Sequence, residues 1–251
     1  MFKNLTPINR ERHAAKKIVA AKGFDFPGNF HLASVMVHEF VRASGTYPIV
    51  FLEDKPSDSF RPVVLLGLDA GENLFVGADG KWDASYIPAI IRRYPFALAK
   101  TDNDDQFTVC IDEDSPLVSD SEGQAMFGED GTPTEVIENV KRYLGELQQM
   151  EAFTTAFSQF FSQHNMFTPL NMRVRQQDQV KNVTGCYVIN EERINNLSDE
   201  RFLELREKRY LAPLYAHLNS LVQIERLVKL KEGLQSTASA TQTDEASDAV
   251  H

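Results

Sequence analysis

The chain has 251 residues, 42% of them hydrophobic and 25% charged, an ordinary globular balance with enough length to fill a sizeable core. Its net charge of −10 excludes a duplex-wide phosphate footprint; without the tail acids Asp244, Glu245 and Asp248 the body still stands near −7. No apolar run approaches the roughly 18 residues of a membrane-spanning helix, which excludes a permease.

The first 22 residues carry six Lys/Arg and one acid. They lack the unbroken apolar stretch of a secretory signal, the longest candidate being IVAA, so a cytoplasmic setting is expected. Residues 1–30 read as irregular or partly helical, closing in the turn-rich FDFPGNF. HLASVMVHEFVRA, residues 31–43, reads as a buried helix ended by Ser44-Gly45. YPIVFLED follows as a strand, KPSDSFRP as a loop, and VVLLGL with NLFVGA as a hairpin across the turn DAGEN. Asp83 suits the N-cap of a helix over 84–93, with Pro88 as the obstacle. YPFALAK and QFTVCID read as strands flanking the turn TDNDD, which gives about five strands over 46–112.

Residues 113–131 read as a solvated connection. Thr132-Pro133-Thr134-Glu135 then has the form of a capping box with Pro at the first helical position. The helix it opens repeats Val136, Ile137, Val140, Leu144, Leu147, Phe153, Phe157, Phe160 and Phe161 at 3.6-residue spacing, reaches about Asn165, and has Gly145 as its weak point. MFTPLNMRVRQ and VTGCYVIN read as two strands, and EERINNL as a turn of helix. Ser198 caps DERFLELREKRY, and Pro213 opens a last amphipathic helix. Residues 1–233 are expected to form a single domain, strand-rich over 46–112 and helix-rich over 132–233, with a disordered tail at 234–251. The fold class is α+β: a mainly antiparallel sheet covered by a long Phe-rich helix and a C-terminal helix pair.

Chemistry-bearing patterns are sparse. Cys110 and Cys186 sit in separate strand-like runs without metal or redox spacing, and read as buried thiols. His31 and His38 fall on one face of the expected helix beside Glu39, but His38-Glu39 is not followed by the second His of a zinc-protease signature. His164 ends a helix, where its charge suits the dipole. There is no nucleophile elbow and no Gly-rich phosphate cradle. The acids Asp102, Asp104, Asp105, Asp112, Glu113 and Asp114 lack the ligand order of a calcium loop. No metal and no cofactor is implied.

The stretch KWDASYIPAIIRRYPFAL, residues 81–98, holds the only tryptophan. On a helix Tyr86, Ile90 and Arg93 share a face, while Ile87 and Ile91 share the next. One reading buries the isoleucines, packs Trp82 and Tyr94 at the edge and leaves Arg92 and Arg93 solvated. The other makes an aromatic and guanidinium wall for a peptide, a sugar or a carboxylate.

HLASVMVHEFVRASGTYPIVF, then PVVLLGLDAGENLFVGADGKWDASYIPAIIRRYPFAL, then RYLAPLYAHLNSL together resemble the bacterial SapC family, over nearly the whole chain except the tail. Trp82–Phe96 and Tyr215–Leu218 carry the resemblance most specifically. It implies a link to a surface layer in some bacteria and a setting beside nutrient uptake, and transfers no catalytic residues. The leading expectation is a soluble, non-catalytic accessory protein that binds a protein, peptide or small-molecule ligand, but neither nucleic acid nor a membrane core. Its candidate ligand-binding residues are Trp82, Tyr86, Arg92, Arg93, Tyr94, His38 and His217. An enzyme acting on peptides or proteins, gathering His31, His38, Glu39, Arg92 and His217 into one pocket, is the alternative. A self-assembling structural protein, pairing through the Phe153/Phe157/Phe160/Phe161 cluster into a homo-oligomer, is the third.

Overall fold

The computed structural model describes residues 2–24, 29–100, 107–176 and 179–234. The expected turn TDNDD and the tail beyond Leu234 lie outside the described residues, as does part of FDFPGNF. The architecture is α+β, with antiparallel sheets, a long helix and a C-terminal helix pair.

The N-terminal region contains β1 (Leu5–Pro7), α1 (Arg10–His13) and β2 (Lys17–Ile18). The segment expected as one helix over 31–43 instead begins as β3 (Leu32–Ser34), turns through a 3-10 segment at Val37–Glu39, and is helical only at α2 (Phe40–Ala43). Ala33, Val35 and Val37 are buried while Ser34 is exposed, a period of two that a strand satisfies and a helix does not. His31 and His38 therefore do not share a helix face.

β4 (Ile49–Asp54) and β5 (Ser59–Leu65) form the main hairpin, in register from Ile49↔Val64 to Asp54↔Ser59. KPSDSFRP is thus only half a loop. Lys55–Ser57 make a 3-10 turn, Asp58 takes a left-handed φ of 46°, and Ser59 to Pro62 belong to the strand. Among the described residues, the backbone pairing expected of VVLLGL with NLFVGA reduces to Leu74 N–H on the Leu66 carbonyl at 2.8 Å. With β3 on one side, and β13 (Tyr187–Ile189) then β10 (Phe167–Pro169) on the other, the sheet runs β10-β13-β4-β5-β3. β11 (Met172–Gln176) and β12 (Gln179–Val183) make a separate ribbon.

The expected helix over 84–93 is cut to α3 (Ala89–Arg92). Pro88, with ψ at 139° and no N–H, stands at the N-cap, and the residue before a proline is driven toward extended backbone. β6 (Phe96–Lys100) and β7 (Phe107–Asp112) complete a three-stranded sheet with β1, β7 in the middle. The expected solvated connection contains β8 (Val118–Ser119) and β9 (Gln124–Ala125), which flank β2, and it buries Met126 completely.

α4 (Glu135–Gln163) starts later than the capping box suggests. Gly128 N–H bonds the Thr132 carbonyl and Thr134 N–H bonds the Met126 carbonyl, so residues 132–134 stay extended. Thr134 becomes the N-cap, but its hydroxyl donates to the Ala125 carbonyl at 2.7 Å. The helix serves two apolar clusters. Ile137, Leu144 and Leu147 pack with Phe96, Ile111 and Met126. Phe157, Phe160 and Phe161 pack with Phe40, Phe51 and the main sheet. α5 (Glu191–Asn195) and α6 (Asp199–Glu207) follow, α6 capped by Ser198. α7 (Leu211–Ser220) takes Pro213 in its first turn, breaks at 221–222 and continues as α8, residues 223–234. Leu214, Ile224, Leu227 and Val228 from this pair enter the main cluster.

Candidate binding site

The Trp82 stretch is held from within. The Trp82 indole N–H donates to the Tyr47 hydroxyl at 2.8 Å, and that hydroxyl donates in turn to the Tyr86 carbonyl. Tyr47 is fully buried, and burial pushes its phenol far up, so it stays a neutral donor and acceptor. Trp82 lies edge-on to Phe24 and stacks at 6.5 Å with Phe75. The Tyr86 hydroxyl donates to Glu39 Oε1 at 2.6 Å. Glu39, 5% exposed, also accepts Ala89 N–H at 2.7 Å and Met36 N–H at 2.8 Å.

Arg92 and Arg93 behave differently from one another. Arg92 is exposed and clasped: its Nε donates to the Ile87 carbonyl at 2.9 Å, and its guanidinium lies over the rings of Tyr86 and Tyr143 at 5.6 and 5.8 Å. Arg93 is half-buried over Phe2 at 5.7 Å, and burial lowers its pKa. Tyr94 is buried and donates to Asp112 Oδ2 at 3.3 Å. Tyr86 and Arg92 are thus brought together around Glu39, while Tyr94 is bonded to another part of the chain.

The histidines do not converge. His38 is exposed, with its ring 5.3 Å from that of Phe153. His217 is fully buried; its Nδ1 lies 2.9 Å from the Ile49 carbonyl, and its Nε2 accepts Ile189 N–H at 3.0 Å. That fixes a neutral ring protonated at Nδ1, with neither nitrogen left for a ligand, and it stitches α7 to β4 and β13. Ser220 adds to the seam by accepting Ile49 N–H at 2.9 Å. His31 lines a pocket of about 280 Å³ with Cys186, whose thiol burial pushes up, away from thiolate character. Of the five residues named for a shared catalytic pocket, Glu39 and Arg92 meet through the Tyr86 hydroxyl, while His31, His38 and His217 lie in separate places.

A different cleft lies along the C-terminal half of α4. Two adjoining pockets, of about 680 and 170 Å³, share Phe60, Arg61, Glu151, Thr155 and Ser158. One wall is the outer side of β5. β3 pairs only with Val63–Leu65, and Val35 N–H reaches the Pro62 carbonyl at 3.2 Å. The Pro62 carbonyl therefore faces the β3 side. Strand alternation turns the N–H and C=O of Phe60 the same way, where among the described residues no strand pairs with them. The other wall is polar, with Thr155, Gln159 and Ser162 from α4. Ser158 is 3% exposed and its hydroxyl has no partner among the described residues, a cost of about 1–3 kcal/mol that a bound hydrogen-bonding group would offset. Sequence spacing did not single out these residues, because strand and helix contribute them from positions about a hundred apart and each half alone reads as solvated surface.

The antiparallel sheets and the long helix they share define an α+β protein. The family model for SapC matches residues 8–227, and the chain belongs to the SapC family. No curated protein and no solved structure matches it.

Proposed function

We propose that this protein is a non-catalytic accessory protein that binds an extended peptide in the cleft between β5 and α4. The unpaired outer edge at Phe60 carries the reading. A peptide laid there in extended form would bond that N–H and C=O as an added strand, and its side chains would meet the hydroxyls and amides of α4. Glu151, Asp58 and Arg61, all exposed and lining the cleft, favour a peptide of mixed charge. The Trp82 stretch supports the cleft indirectly, because Glu39 ties α3 to the segment that follows β3. A cytoplasmic place beside surface-layer or nutrient-uptake components remains part of this proposal, as the resemblance implies.

Display of random decapeptides on the intact protein tests the reading. Thr155 and Gln159 are exposed residues lining the cleft, so Thr155→Trp with Gln159→Trp narrows it without entering the core. Selected peptides should lose at least about tenfold in affinity for that variant, about 1.4 kcal/mol, and bind Trp82→Phe normally. Peptides that ignore the two tryptophans but fail on Trp82→Phe, Tyr86→Phe or Arg92→Ala would return the site to residues 81–98.

A further inference from the structure

The same helix floors a second cleft, at its N-terminal half and on the opposite sheet. It measures about 610 Å³, within the range of small-ligand sites. Its walls are apolar, chiefly Ile8, Leu98, Phe107, Val109, Phe127 and Ile137. Gly145 lies in its floor. A glycine inside a helix costs about 1 kcal/mol relative to alanine, and Gly145 has neither the positive φ nor the tight neighbour that would require one. A Cβ there would meet nothing within 4 Å. What glycine supplies at this position is room in the floor of the cleft.

The charge is equally selective. The chain carries 36 acids against 26 Lys and Arg, yet this cleft is lined by Arg10 and Lys141 and by no carboxylate among its described residues. Lys141 pairs with Glu138 at 2.8 Å, an exposed i,i+3 contact weak enough to yield to a ligand. The Arg10 guanidinium rests over Gly131. We infer that the cleft binds a small amphiphile with an apolar tail and a single carboxylate head, the tail over Gly145 and the head at Arg10 and Lys141.

The test uses the full-length protein and dansylated undecanoic acid. Its emission should rise and shift to the blue on binding, and dodecanoate should displace it while dodecyltrimethylammonium, with the same tail and opposite head, should not. Gly145→Leu should melt at a higher temperature, because a strong helix former replaces glycine where an added Cβ meets nothing within 4 Å, and yet lose the probe by about tenfold or more. Lys141→Glu should weaken binding, and Thr155→Trp should leave it unchanged. Equal binding to Gly145→Leu, equal displacement by the cationic detergent, or association only with phosphatidylglycerol vesicles would overturn the inference. Failure of the peptide reading would not affect it.

Discussion

Burial drives the His217 imidazole down to about 4 from an ordinary 6.5. Desolvation is the main cause; the bond from Nδ1 to the Ile49 carbonyl opposes it without reversing it. Between those two pH values the unfolded chain takes up a proton that the folded chain refuses. The contribution is therefore present above about pH 6.5 and is lost as pH falls toward 4. Urea unfolding should show wild type losing about 2 kcal/mol between pH 7 and pH 5 that His217→Gln, already less stable, does not lose. Parallel pH curves for the two proteins would show that the ring is not sealed.

At the level of elements, the carboxylate of Glu39 holds together pieces that local pattern cannot join. It accepts from Met36 N–H at the start of the 3-10 segment, from Ala89 N–H at the start of α3, and from the Tyr86 hydroxyl. Glu39→Gln must turn an NH₂ toward one of three donors. The variant should unfold about 1–3 kcal/mol more easily at unchanged slope with urea, and a midpoint equal to that of wild type would remove Glu39 from this role. The same junction explains what the sequence disclosed and what it hid. β4, β6, β7 and α4 carry long, locally consistent patterns, and their positions were legible. The segment 31–43 was not, because Ala33, Val37, Phe40 and Ala43 fit a helical stripe, and only pairing with the edge of β5 reveals the strand alternation that also buries Val35. The Trp82 stretch was legible as distinctive but not in its role. Its partners Tyr47 and Glu39 lie 35 to 50 residues upstream, and spacing within the stretch carries no trace of them.

The whole molecule is organised around α4, which contributes to both apolar clusters and lines both clefts. Between Leu147, in one cluster, and Phe157, in the other, lies Ala152, exposed and outside either cleft. Ala152→Pro removes one helical hydrogen bond and drives the ring against the carbonyl of residue 148, a cost of about 3 kcal/mol or more. If the helix makes the two clusters one cooperative unit, that cost is felt in both. Ile111 in β7 reports the smaller cluster and Val50 in β4 the larger, and both amides sit in central strands. Native-state hydrogen exchange should accelerate at the two sites together, by about a hundredfold for 3 kcal/mol. Acceleration at Ile111 with Val50 unchanged, or the reverse, would mean that the clusters open separately and that α4 spans two units without coupling them. In that event a ligand in one cleft would have no route through the helix to the other, and the two sites would act as neighbours only.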